Sequence, residues 1–304
     1  MDRVIITGAT SMLGLALIDE CIMNNTQVLA IIRENSHKNH LIPSSKLVTT
    51  FECDISMLAG LTLDSKQSFD VFYHFAWEAT ASDDRNIVDK QCCNIDTTLE
   101  ALRLAKRLGC KKFVGAGSQA EYGRVEGVIN PNTAVAPDSA YGIAKYAAGR
   151  LSSVLAEQIG IDFIWTRIFS TYGVNDMPST MVMYCIESLL RGKKPILTRC
   201  EQQWDYLNCR DAARAFYLIG KSGKTQSIYN IGSGSVYPLS EYVYAIRDAI
   251  DPRLQLGIGE REYAVKQVMH LCPDISSLQK DTGFEPRISF AEGISETIEW
   301  FKVL

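Results

Sequence analysis

Residues 7–14 read TGATSMLG, directly after the apolar run Val4-Ile5-Ile6 and directly before a stretch with helical periodicity. A strand that runs into such a loop and on into a helix builds an anion site. Gly8 permits the tight turn, Gly14 lets the helix pack closely on the strand, and the first helical N–H groups face the anion. The spacing is G-x-x-x-x-x-G, with Ser11 in the middle, where nucleotide-binding loops of this type usually carry a third glycine. A plain strand–turn–helix has the same glycines. Position at the first strand of an alternating series favours nucleotide binding, with Gly8, Thr10, Ser11, Met12, Leu13 and Gly14 along the phosphates. The Ser11 hydroxyl either donates to the pyrophosphate or is merely tolerated there.

The alternating series extends outward from this loop. QVLAII, KLVTTFEC, DVFYHFAW, KKFVGAG and DFIWTRIF read as further strands, separated by stretches with apolar residues at three and four spacing. The clearest helix runs from about Arg85 to Leu108, with Ile87, Val88, Cys92, Ile95, Leu99, Leu102 and Leu108 recurring on one face and Gly109 stopping it. This predicts an α/β fold: a doubly wound parallel sheet of Rossmann type, with ligands beyond the carboxyl ends of the strands. After Tyr172-Gly173 the pattern shortens. MVMYCIESLLRG, CRDAARAFYLIG, LSEYVYAIRDAI and FAEGISETIEWF read as helices, SIYNIG as a strand, and Gly257 to Pro273 has no clear period. The expected division is a dinucleotide-binding domain over 1–170 and a smaller lobe over 171–304, with some of its segments returning to the first domain.

Composition narrows the function classes. The 304 residues are 46% hydrophobic and 22% charged, with a formal net charge of −4. A nucleic-acid binder would usually show a basic excess or stripe. No apolar run approaches the length of a membrane span. MDRVIITGAT has no basic region followed by a cleavable apolar stretch. The nine cysteines are scattered, apart from the adjacent Cys92 and Cys93, with no C-x-x-C and no zinc spacing. The expectation is therefore a cytoplasmic protein with reduced, packed thiols, no metal, no nucleic acid and no membrane.

The end of the second predicted strand should meet the adenosine ribose of a dinucleotide. A carboxylate there favours NAD. This chain has Arg33 and then Ser36 in IIRENSHK, a guanidinium and a hydroxyl that suit a 2′-phosphate. NADP is the preferred cofactor and NAD the alternative, since Glu34 is placed to reach the ribose instead. Asp54, after the third strand, is a candidate for the adenine amino group and equally a helix cap for ISML.

YGIAK sets Tyr141 and Lys145 four apart, on one face of a helix. A phenol with a pKa near ~10 is a poor proton shuttle at neutral pH. An ammonium held close stabilises its phenolate and lowers that pKa. A second Y-x-x-x-K, at Tyr217 and Lys221, reads as a chance surface pairing. The first is preceded by Pro137 and follows the strand that ends at Ser118. Ser118 opens GSQAEYG, a turn able to project its hydroxyl over the carboxyl edge of the sheet.

TGATSMLG, YHFAW, Asn94 in CCNIDTTL, GSQAEYG, YGIAK, TRIFSTYG, QWDYLNCRDAA and YNIGSG come in the order seen in extended short-chain dehydrogenase/reductases. From about Val4 to Trp300 the chain resembles the NAD-dependent epimerase/dehydratase family, which acts on nucleotide sugars. The resemblance implies a catalytic Ser118–Tyr141–Lys145 group and a bound nicotinamide dinucleotide touching Asp54, Ile55, Phe75 and Ala76 as well. It also implies a nucleotide sugar held mainly by the second lobe, and a homodimer formed through the Ile87–Leu108 helix and the one carrying Tyr141.

Within that family, dehydrating members follow the catalytic hydroxyl with Asp and Glu, and members that epimerise C3 and C5 carry a cysteine two places on. Here those positions are Gln119 and Ala120. A methyl group moves no proton, so what remains is hydride transfer at one carbon. Glu121 is expected to be structural. The family often has an arginine that grips the diphosphate where this chain has Trp204. Arg199, Arg210, Arg261 and Lys266 are the candidates to replace it, and Trp204 either stacks on the base or packs in the lobe. Ser170 stands where many relatives carry asparagine near the substrate. The leading expectation is an NADPH-dependent reductase of a nucleotide-linked 4-keto-6-deoxyhexose. The runner-up is an NAD-dependent 4-epimerase. A non-catalytic dinucleotide sensor, which would typically have lost the tyrosine or lysine, comes third.

Overall fold

The computed structural model describes residues 1–62, 68–81 and 84–303. Seven strands form the principal sheet: β1 (Arg3–Thr7), β2 (Gln27–Ile32), β3 (Val48–Glu52), β4 (Val71–His74), β5 (Lys112–Ser118), β6 (Asp162–Ile168) and β7 (Ser227–Ile231). All pair in parallel, in the order β7-β6-β5-β4-β1-β2-β3. Every carboxyl end therefore reaches the same edge, where Gly8, Arg33, Phe75 and Ser118 emerge.

Both faces of the sheet are covered, so its central strands read as near-continuous apolar runs. Helices α1 (Met12–Met23), α2 (Val88–Arg107), α3 (Ala140–Ile159), α4 (Met181–Leu190) and α5 (Cys209–Ser222) follow in chain order, then α6 (Leu239–Ile250), α7 (Ser276–Thr282) and α8 (Phe290–Lys302). Val4 and Ile6 pack with Leu17 and Ile18 of α1 and Phe216 and Ile219 of α5 on one face. Ile5, Phe72 and Phe113 pack with Leu102 and Ala105 of α2 and Ala148 of α3 on the other. The second-half strand β7 completes the main sheet beside β6, and α5 packs on α1. A separate core of Val182, Ile186, Val243, Ile246, Ile294 and Ile298 holds α4, α6 and α8 together.

Three readings of the sequence change. The long helix begins at Val88, because Asp84–Ile87 is spent on a turn. Its sheet-facing side starts with Gln91, Asn94 and Thr98, all buried, while Ile87, Val88 and Cys92 are exposed. The apolar stripe therefore lies outward at its start, because the inward positions are used to bind the loop after β4. Gly257–Pro273, which has no period, contributes two short strands. Gly257–Ile258 pairs with Ile196–Leu197, and His270–Pro273 lies between Gln203–Trp204 and Val128–Ile129. Tyr217 is not on the surface. It is buried, with its hydroxyl 3.2 Å from Thr26 Oγ1.

Candidate active site

The phosphate loop has the geometry that its glycines require. Gly8 has a φ of 67° and lies against the Ala76 backbone, so a side chain would clash as well as strain. Gly14 abuts the Gly8 carbonyl. Ser11 caps α1, its Oγ accepting the Gly14 N–H at 3.1 Å. That leaves its own proton free to donate outward. The amides of Met12 and Leu13 open the helix, and Thr10 flanks them. This cradle at a helix N-terminus fits a dinucleotide's pyrophosphate.

Beyond β2, Arg33 is exposed and its carbonyl anchors the following turn by accepting Asn39 Nδ2 at 2.8 Å. Ser36 Oγ accepts the Lys38 N–H. The loop carries Arg33 and Lys38 against Glu34 alone, a local excess of positive charge. Asp54 caps the short helix Ile55–Gly60, accepting from Ser56 N and Oγ at 2.9 and 2.6 Å. Those bonds hold its carboxyl below the usual carboxylate range, and Arg33 assists.

Ser118, Tyr141 and Lys145 come together where β5 meets α3. Ser118 ends β5, and its Oγ accepts the Ala120 N–H at 3.2 Å in a one-turn helix over Gln119–Glu121. Burial raises the Tyr141 phenol above its ordinary value, while Arg85 and the nearby Ser118 hydroxyl pull it back. Lys145 is 4% exposed and donates to the Ala116 carbonyl at 2.6 Å. Burial pulls its ammonium down to about 7, against an opposing effect from Glu121. The cation nearest the Tyr141 ring is therefore not the expected lysine. Arg85 lies 4.7 Å from the ring centroid and Lys145 Nζ lies 5.8 Å away, turned toward Ala116.

Glu121 points away from the site and into the protein. It is 1% exposed, and its Oε1 accepts from Ser118 N and Trp165 Nε1, both at 2.9 Å. Its Oε2 pairs with Arg167 Nε at 2.7 Å. Gly115, Gly117 and Gly149 leave the slot that Trp165 fills.

The substrate-side candidates separate. Trp204 and Ser170, the two departures from the family pattern, hydrogen-bond each other, Nε1 to Oγ at 2.9 Å. Trp204 packs between two apolar cores. Arg210 is spent on Glu296 of α8 at 3.2 Å. Arg199, Arg261 and Lys266 are exposed and make no ion pair among the described residues. A cavity of about 450 Å³ lies between Arg124–Asp138 and Gln267–His270, with His270 Nδ1 buried and unpartnered among the described residues. Gln119 lies half-buried beside Ser118. Sequence reasoning missed Trp77 and Arg85. Trp77 shares the quoted stretch YHFAW, yet only the folded chain brings it over Lys145.

A parallel sheet with a phosphate cradle at its first helix and a Ser–Tyr–Lys cluster at its carboxyl edge defines a dinucleotide-dependent α/β protein. This chain belongs to the NAD dependent epimerase/dehydratase family, whose pattern it matches over residues 4–232. The dTDP-glucose 4,6-dehydratase of Salmonella typhimurium is 26% identical, over 98% of this chain and 92% of that protein. A UDP-N-acetylglucosamine 4-epimerase from Methanobrevibacter ruminantium M1, in complex with UDP-N-acetylmuramic acid, superposes with a TM-score of 0.89 at 22% identity, covering 99% of this chain and 98% of that one. A UDP-glucuronic acid 4-epimerase from Bacillus cereus, in complex with NAD, gives 0.85 at 20% identity, covering 99% and 96%. At these identities the structural likenesses show the fold.

Proposed function

We propose that this protein reduces the 4-keto group of a nucleotide-linked 4-keto-6-deoxyhexose, using NADPH. One observation carries the reading. A hydroxyl, a neutral phenol and a lysine meet at Ser118, Tyr141 and Lys145, and the turn beside them offers only the Ala120 methyl where relatives hold a second acid–base group. Proton removal at a neighbouring sugar carbon has no group to perform it there.

The residues divide the work as follows. Tyr141, held protonated by burial, gives its proton to the ketone oxygen as negative charge develops on it. Ser118 donates its hydroxyl proton to the same oxygen, while one of its two lone pairs accepts the Ala120 N–H. Lys145 supplies positive charge behind the phenol and a donor for the cofactor ribose. A nicotinamide bound here would supply the hydride. Arg33 and Ser36 would receive its 2′-phosphate, and the cradle from Gly8 to Gly14 would hold its pyrophosphate. The sugar nucleotide's diphosphate falls to Arg199, Arg261 or Lys266, since Trp204 offers no charge.

A second reading, an NAD-dependent 4-epimerase, is favoured by the 4-epimerases among the similar structures. It uses the same three residues and returns the hydride. Incubation of dTDP-, CDP-, GDP- and UDP-linked 4-keto-6-deoxysugars with NADPH, followed by absorbance and mass spectrometry, tests the choice. The reductase consumes NADPH and adds two hydrogens to the sugar. No NADPH consumption with any of these, together with C4 interconversion of the corresponding 4-hydroxy nucleotide sugars incubated with NAD, would sink the reductase reading.

A further inference from the structure

We propose that Trp77 is a positioning residue of this site, its indole face cradling the Lys145 ammonium and keeping it charged and aimed while Tyr141 gives up its proton. The proposal rests on the catalytic reading of Tyr141 and Lys145 given above.

Lys145 Nζ lies 3.6 Å from the Trp77 ring centroid, and the Trp77 ring meets that of Tyr141 edge-on at 6.1 Å. Apart from the Ala116 carbonyl, the indole is the nearest electron-rich surface to the buried ammonium among the described residues, with the Tyr141 ring farther off at 5.8 Å. No carboxylate pairs with Lys145 among the described residues. The charged and titratable groups facing it are Tyr141 on its own helix, Glu121 behind the Ser118 turn, Arg85 before α2, and His74 on β4. Burial holds His74 neutral at neutral pH, with a pKa pushed to about 3. Glu121 is already committed to Arg167, and Arg85 repels the ammonium. Lys145 therefore sits where a modest interaction decides its charge. An aromatic face attracts only the charged form.

The indole is also held with more apparatus than apolar filling would require. Its Nε1 donates to Gln91 Oε1 at 3.0 Å, and Gln91 Nε2 donates to the Ala79 carbonyl at 3.0 Å. Asn94 grips the next residue from both sides, accepting the Glu78 N–H at 2.9 Å and donating to the Glu78 carbonyl at 3.0 Å. Ala79 then takes a φ of 55°, a left-handed conformation that a non-glycine residue adopts at a cost. Gln91 and Asn94 are 1% and 2% exposed. The polar inner face of α2 fixes the segment that presents Trp77.

The test reads Lys145 directly. Its ¹³Cε resonance, assigned by loss in Lys145→Met, is titrated in the protein without added ligand. A group held charged by a partner loses that charge at a lower pH once the partner goes. The Lys145 midpoint should fall by ~0.4–1.5 pH units in Trp77→Leu and by less in Trp77→Phe, which keeps a ring. Successive fluorination of the indole at position 77 preserves its shape and should lower the midpoint stepwise; the same change at Trp165 should not. The alkaline limb of NADPH-dependent reduction of a dTDP-linked 4-keto-6-deoxyhexose should move with the midpoint. A midpoint unmoved in both Trp77→Leu and the fluorinated protein overturns the proposal, and the fluorinated protein serves if Trp77→Leu fails to fold. If Tyr141→Phe keeps full turnover, the catalytic reading falls and Trp77's role falls with it. If Tyr141→Phe is inactive while the midpoint stays fixed, only the role of Trp77 is lost.

Discussion

Glu121→Ala removes the carboxylate that three donors share. The Arg167 guanidinium, 3% exposed, is left charged and unpaired, and the Ser118 N–H and Trp165 indole lose their acceptor. Breaking a buried pair from one side costs about 3–5 kcal/mol. Domains are commonly stable by about 5–15 kcal/mol. The single substitution should therefore remove roughly a fifth or more of the stability, seen as a lower urea midpoint at unchanged slope. Removing both charges is the informative comparison. Glu121→Leu combined with Arg167→Met leaves no buried charge behind. It still forfeits the Arg167 bond to the Pro131 carbonyl and the stacking over Tyr122 at 4.3 Å, about 1–3 kcal/mol together. The double variant should be more stable than Glu121→Ala. In the matched cycle of Glu121→Leu, Arg167→Met and their combination, the coupling should be several times the ~0.3–0.5 kcal/mol typical of independent sites. Additive losses, or a cost below about 1 kcal/mol for Glu121→Ala, would refute the reading of Glu121 and Arg167 as a coupled buried pair.

Further outcomes follow from the site and the surface. Tyr141→Phe should retain dinucleotide binding and lose turnover by roughly 10²–10⁴-fold, measured against the dTDP-linked probe. Tyr217→Phe should leave turnover unchanged and cost about 0.5–1.5 kcal/mol in urea unfolding, since its hydroxyl meets Thr26 in the core; equal effects of the two would discredit the assignment. NADPH should bind roughly ten- to a hundredfold tighter than NADH, from a charge-assisted bond of about 1.5–3 kcal/mol reduced by exposure at Arg33. Arg33→Ala and added salt should each narrow that gap in fluorescence titrations, and equal affinities for wild-type protein would move the epimerase reading ahead. Ile87 and Val88 on one side, and Ile143, Leu151 and Val154 of α3 on the other, are exposed and apolar. We expect a homodimer through α2 and α3, and light scattering that finds a monomer at micromolar concentration would exclude it.

The parts of the molecule visible in the sequence are those whose physics is local. TGATSMLG announces a turn, a close approach and a helix start within eight residues, and Tyr141 and Lys145 lie one helical turn apart. The buried pair behind Ser118 is not local. Arg167 follows Glu121 by 46 positions, and nothing near either residue names the other. Trp77 reads as one more apolar residue after a strand, because its service to Lys145 depends on how β4 and α3 meet. The long helix misled in another way. Gln91, Asn94 and Thr98 face inward to hold the loop after β4, so polarity marks the buried side at that end and an apolar count picks the wrong face. Tyr217 looked peripheral because Y-x-x-x-K says nothing about depth.

The placement of β7 has a consequence for synthesis. As the chain emerges, β6 is complete at Ile168, but its outer edge has no partner until Ser227–Ile231 has been made, and α1 has no α5 to cover it before residue 209. A ribosome-bound intermediate of some sixty residues' duration thus carries an open parallel edge and an uncovered apolar helix face. A fragment cut after residue 170 would inherit the same two bare surfaces permanently, so expressing the nucleotide-binding half alone should yield aggregate, whereas ending the chain past the α7 segment would close both.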